Sequence, residues 1–230
     1  AQGWRLRRDD RYPAAAAELA DHWLATNPPK QGMHWTSALE LAFRCLAWSH
    51  AVPLLADSAF ATRDRLARVA ESVLVQMDHV AWNLSTWFSP NTHLTGEALA
   101  LYVTGCAWPA LPGAHDRRAL GWRVLTEELL RQLRPDGSYF EQTLWYQGYT
   151  IDFYAEAIRW AAAMDDAIPP AQPSPSRMAR CSCREPRASR RSRGRMAPRV
   201  PPWRGGSPAR ARPLPRTSAG ASWPVLAASS

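Results

Sequence analysis

Apolar residues recur at every third or fourth position over six stretches of the chain, the spacing of a helix with one buried face. Residues 14–25 follow Pro13, a good first-turn residue, and stop at Asn27-Pro28-Pro29. Residues 35–51 carry Leu39, Phe43, Leu46 and Ala47, with Thr36 or Ser37 available to cap. Residues 62–82 carry Leu66, Val69, Val73, Met77 and Val80 as a continuous stripe. Residues 94–107 are apolar nearly all round, which predicts burial on most sides. Residues 115–134 carry Leu120, Val124, Leu125, Leu129, Leu130 and Leu133 and end in Arg134-Pro135-Asp136-Gly137, a turn in which Pro sets φ and Gly permits a positive one. Residues 144–164 carry Tyr146, Ile151, Tyr154, Ile158 and Ala162. The first residues, Ala1-Gln2-Gly3-Trp4, already sit inside a helix-like pattern.

No stretch alternates as a half-buried strand would. The fold class is therefore all-α. Six helices on short Pro- and Gly-marked loops predict antiparallel hairpins, which close either into a bundle or into an arc of an α/α toroid; periodicity alone allows both. From Ala171 to Ser230 neither period is sustained. Runs such as Arg-Glu-Pro-Arg-Ala-Ser-Arg-Arg (residues 184–191) support neither helix nor strand, and disorder is the expectation for the whole segment 169–230.

Composition divides at the same point. The formal charge of +8 on 230 residues suggests a nucleic-acid or membrane partner. Residues 1–170, however, hold 15 Lys and Arg against 19 Asp and Glu, while residues 171–230 hold 13 Arg against Glu185 alone. The helical body is mildly acidic and the excess positive charge lies in the tail. All six His and ten of the twelve Trp also fall in the body, and twelve of the twenty Pro from Pro169 onward. With one Lys against 27 Arg, the coding DNA reads as GC-rich. An Arg, Pro, Ala, Gly and Ser tail is what an out-of-frame stretch of such DNA encodes, and a frameshift near residues 168–175 is preferred here to a native basic arm. The start at Ala1 reads as a truncated or processed chain. No run reaches the ~18 apolar residues of a membrane helix. Cys45 and Cys106 lie in apolar helical patterns and read as buried thiols, and Cys181-Ser182-Cys183 lacks metal-ligand spacing.

Four segments, in this order, resemble the N-terminal domain of heparinase II/III-type polysaccharide lyases. They are Asp10-Arg11-Tyr12 followed by Trp23 to Pro29; Gly32-Met33-His34-Trp35-Thr36-Ser37-Ala38-Leu39-Glu40, with Arg44 after it; Ser89-Pro90-Asn91-Thr92-His93-Leu94, opening Gly96-Glu97-Ala98-Leu99; and Asp136-Gly137-Ser138-Tyr139-Phe140-Glu141 running on to Trp145-Tyr146. The resemblance covers residues 1–168. It implies that this range is part of an α/α toroid, that β-sandwich domains follow in the complete family protein, and that this chain is a fragment, inactive by itself. It further implies a periplasmic or secreted location, an acidic polysaccharide as partner and no cofactor.

The family's chemistry is β-elimination on a uronate. The C5 carboxylate must be neutralised by donors so that the adjacent proton becomes acidic, a base must take that proton, and an acid must protonate the departing glycosidic oxygen. By the resemblance, Tyr146 is the acid or base, and Asn91 and His93 are the carboxylate-side and base-side groups. Two departures stand out: Gln147 occupies the position of the family's His, and Thr92 separates Asn91 from His93. Trp35 and His34 are expected to line the cleft, with Glu141 as a substrate-side or loop-fixing acceptor. Glu40 and Arg44, four apart, are expected to pair within their helix. An alternative from another class is a non-catalytic helical module whose Arg-rich tail binds nucleic acid or anionic surfaces. Aromatic interleaving in that tail is limited to Trp203 and Trp223, which makes nucleic acid the weaker partner. A glycoside hydrolase on the same fold needs two facing carboxylates, and no pair is nominated.

Overall fold

A computed structural model describes residues 1–134 and 136–168. The expected disorder of 169–230, the Cys181-Ser182-Cys183 segment and the frameshift reading lie outside the described residues. Within them the order is α1 (Gln2–Arg7), α2 (Arg11–Thr26), a 3-10 turn (Met33–Trp35), α3 (Ala38–Leu54), α4 (Arg63–Trp82), α5 (Thr92–Ala107), α6 (Ala114–Gln132) and α7 (Leu144–Met164). The β-type pairing among the described residues is an isolated antiparallel bridge between Leu133 and Tyr139.

Side-chain caps fix where the longer helices begin. Ser37, Thr62, Asn91 and Thr143 each accept a backbone N–H from the first turn of α3, α4, α5 and α7. The Ser37 cap explains the one division that periodicity does not predict. Its backbone is extended, so the single helix expected over 35–51 splits into the 3-10 turn and α3. Pro13 falls in the first turn of α2, where its missing N–H leaves no bond unmade. The turn after α6 forms as expected at its glycine: Gly137 has a φ of 83° and donates to the Arg134 carbonyl.

Short loops make successive helices antiparallel. α3 packs on both α4 and α5, and α5 packs on α6 and α7. Thus α3, α5 and α7 run side by side in one direction, with α5 central and α4 and α6 behind. The central helix has the composition its place requires: from Leu94 to Cys106 every residue is buried. The closest approach is to α6. A Cβ on Gly121 would lie 2.5 Å from the Ala98 carbonyl oxygen and from the Tyr102 nitrogen, so only glycine lets the two backbones meet. The stripe of α4, Val69, Val73, Met77 and Val80, closes the main core as predicted, and Cys45 and Cys106 are buried free thiols within it. A smaller cluster of Trp4, Ala20, Leu55 and Phe60 joins α1 and α2 to the α3–α4 corner. Arg65 and Arg68 reinforce that corner by pairing with Asp21.

Because α3, α5 and α7 are parallel, their N-termini lie at one end of the layer. Three of the four motif segments singled out in the sequence are the approaches to those N-termini.

Candidate active site at the helix-start end

The site is built on the cap of α5. Asn91 accepts the His93 backbone N–H at its Oδ1 (3.0 Å) and directs its Nδ2 to the Glu141 carboxylate (3.1 Å). The second carboxylate oxygen of Glu141 accepts the Thr92 backbone N–H (3.3 Å). Glu141 lies two residues before the Thr143 cap of α7, so this carboxylate ties the start of α5 to the start of α7. With both oxygens engaged, Glu141 acts on the loop and on Asn91.

The same bonds set the proton positions. The Asn91 amide is oriented from both sides, by an acceptor at its nitrogen and a donor at its oxygen. The His93 Nδ1 lies 3.1 Å from that oxygen, which has lone pairs only. In neutral His93 the Nδ1 is therefore the protonated nitrogen, and the Nε2 carries a free lone pair. One Nδ2 hydrogen of Asn91 also remains uncommitted, since an amide nitrogen has two.

Tyr146 sits in the first turn of α7, its N–H held by the Thr143 hydroxyl (3.1 Å). Its side chain is 39% exposed, and its hydroxyl makes no hydrogen bond among the described residues. Tyr149, one turn on, is half-buried against Phe43 and Phe153. Burial raises its phenol pKa, and the neighbouring Glu40 carboxylate and Tyr146 add to the rise. α3 and α7 thus meet near their starts through Phe43, Tyr149 and Phe153.

Two expectations are corrected. Trp35 was expected to offer its face to a sugar. Its ring is instead 7% exposed, packed into the main core and edge-on to His79 at 5.6 Å, with the indole N–H buried and unpartnered among the described residues. Its place on the 3-10 turn, ahead of the extended Ser37, turns it inward. Neighbouring His34 is exposed at that turn, and its carbonyl accepts from Arg44 (3.4 Å). Nor do Glu40 and Arg44 pair. Arg44 donates to the buried Gln76 of α4 (2.6 Å) and stacks over Trp23 at 4.5 Å. A tertiary partner with better geometry displaces the intrahelical one, and Glu40 is left exposed at the helix-start end.

Other contributors were not legible as site residues. Glu97, 1% exposed, accepts both the backbone N–H and the hydroxyl of Ser85 (2.7 Å each). Burial raises its carboxyl pKa above the ordinary value. Gln132, also buried, donates to the Pro90 carbonyl (3.1 Å). Together with Glu141 they fasten both ends of the loop between α4 and α5. A lone carboxylate in the otherwise apolar run Gly96-Glu97-Ala98-Leu99 is the signal that could have found Glu97: an acid so placed must be bonded. No group of three or more His, Cys, Asp and Glu among the described residues is arranged to hold a metal ion, and no helix among them is long and apolar enough to cross a membrane.

Parallel inner helices backed by antiparallel partners, with polar groups gathered at the inner helix starts, define an arc of an α/α toroid. The profile of the Heparinase II/III N-terminus family matches residues 1–172, and the chain belongs to that family. It is similar to the heparin-sulfate lyase of Bacteroides thetaiotaomicron, 27% identical over 167 residues, which cover 71% of this chain and 23% of that protein. The crystal structure of heparinase III superposes with a TM-score of 0.63 at 22% identity, over 71% of this chain and 25% of that one. The chain thus spans about a quarter of the length of these relatives.

Proposed function

We propose that residues 1–168 form the toroid-side half of a carbon–oxygen lyase site that cleaves a uronic-acid-containing polysaccharide, of the heparan or alginate kind, by β-elimination. What supports this reading above all is the Glu141–Asn91–His93 relay at the start of α5, with a half-exposed tyrosine, Tyr146, in the first turn of the parallel helix α7. Asn91 offers its second amide hydrogen to the C5 carboxylate. His93 presents Nε2, as the base that removes the C5 proton or as a further partner of the carboxylate. The electron pair left at C5 forms the C4–C5 double bond as the C4–oxygen bond breaks, and a proton passes to the departing glycosidic oxygen. Tyr146 supplies that proton, or takes the C5 proton when His93 holds the carboxylate. Glu141 positions Asn91, and His34 lies on the α3 side of the same end. In the complete family protein a β-sandwich part would close the other face of the cleft, and this domain by itself is expected to bind without turning over.

The test is recognition of the carboxylate. The 230-residue chain is titrated calorimetrically with hexasaccharides from heparan sulfate and from alginate, and with the same saccharides after reduction of their carboxyl groups. High salt screens the Arg-rich segment. The expected result is tighter binding of one native saccharide than of its reduced form, with Asn91→Ala and His93→Ala erasing the preference. Equal affinity for native and reduced forms would overturn the reading.

A further inference from the structure

The loop from Asn83 to Asn91 shows more than a connection between two helices requires. Trp87 and Phe88 at its tip are each 95% exposed, although the residues around them are held firmly. Ser85 is fastened by Glu97, Pro90 by Gln132, and Asn91 and Thr92 by Glu141. Trp145, 81% exposed, lies in the first turn of α7, four residues after Glu141 and one before Tyr146. Large rings left in water carry a hydrophobic cost, and here they are presented from anchored backbone. Their neighbours along the chain are mostly short and polar, Ser85, Thr86, Ser89, Gln142, Thr143 and Gln147, with Leu144 the exposed apolar one beside Trp145. The centre of a protein–protein interface is more continuously apolar than this. Separate aromatic faces among short polar side chains suit a pyranose, whose C–H face stacks on a ring while its hydroxyls reach hydrogen-bond partners.

We propose that Trp87, Phe88 and Trp145 form an aromatic platform that stacks on the sugar rings flanking the uronate held at Asn91 and His93. Trp87 and Phe88 grip the strand on the α5 side and Trp145 on the α7 side, so the platform sets how many sugars the site reads. The proposal rests on the lyase reading given above and extends it from one sugar to its neighbours.

Binding of di- and hexasaccharides from heparan sulfate and from alginate to the 230-residue chain, by calorimetry at high salt, tests it. Trp87→Ala, Phe88→Ala and Trp145→Ala are each expected to weaken hexasaccharide binding about threefold to tenfold, to weaken disaccharide binding by a smaller factor because a disaccharide brings one flanking ring, and to leave the thermal midpoint unchanged. Trp87→Tyr, which keeps a ring, should retain most of the affinity. The proposal is overturned if the three alanine variants bind the hexasaccharide like the parent, if they weaken both saccharides equally, or if the chain binds neither. The carboxyl-reduced hexasaccharide separates this failure from failure of the lyase reading. Ring-dependent binding without carboxyl preference would keep the platform and remove the lyase assignment. Carboxyl preference with silent ring variants would do the reverse.

Discussion

The two ends of the α3–α5–α7 layer use the same kinds of residue in opposite ways. At the helix-finish end, Trp108 is buried and its indole N–H donates to Ser49 (2.9 Å). Tyr102, fully buried, donates its hydroxyl to Asp166 (2.6 Å), and Asp166 also pairs with Arg118 (2.6 Å). Burial works to raise the Asp166 pKa, and the bonds from Arg118 and Tyr102 outweigh it. Trp108, Tyr102, Asp166 and Arg118 are all partnered, and the cluster clamps α5, α6 and the end of α7 together. At the helix-start end, Trp87 and Trp145 are exposed, and among the described residues the Tyr146 hydroxyl, the His93 Nε2 and one Asn91 hydrogen have no partner. The bonds that do form at that end, from Glu97, Gln132 and Glu141, hold backbone and orient side chains without closing the surface. Satisfied polar groups make a stable joint, whereas open ones on fixed backbone make a place for a ligand.

Substitutions should separate the two ends, and the largest effect belongs to Tyr146. In a protein carrying this domain together with the remaining lyase domains, Tyr146→Phe should lower kcat on a uronate polymer by about 10²–10⁴-fold, with the thermal midpoint unmoved. Full activity in that variant would mark Tyr146 as a surface ring. At the packed interface the order reverses. Gly121→Ala places a methyl against the α5 backbone, and a loss of about 1–3 kcal/mol of stability is expected in denaturant unfolding; an unchanged midpoint would contradict the close helix contact. At the finish end, Tyr102→Phe leaves Asp166 short of one donor and should cost about 1–3 kcal/mol, with saccharide binding at the opposite end intact.

The smallest effect is a pH dependence. Glu97 has a carboxyl pKa raised above its ordinary 4.5 by burial. The folded state therefore holds this proton more tightly than the unfolded one does. The stability it contributes is fully present below the ordinary carboxyl range and is lost as pH rises through the raised value. Thermal midpoints measured against pH should show that decline in the parent minus Glu97→Gln difference, since the amide has nothing to ionise. A flat difference would mean that the Ser85 bonds offset the burial.

The helical class, all six predicted helices, the Arg134–Gly137 turn and the burial of α5 were legible in the chain because each follows from local rules: periodicity, caps and turn residues act within a few positions. The motif segments also named the right helix starts. Asn91 and Glu141 were nominated separately, and nothing in the fifty residues between them announces that one accepts from the other. That contact exists because two hairpins bring the starts of α5 and α7 to the same end. The fate of Trp35 and of Arg44 was decided likewise. One turns into the core and the other leaves Glu40 for Gln76, since competing partners lie on α4, out of reach of any local pattern. Sequence by itself determined which segments are helices and which polar residues stand at their starts, through interactions a few residues long. Only the tertiary structure decided which of those residues meet, which are buried and which keep a free hydrogen-bonding group, because those outcomes depend on how antiparallel helices pack.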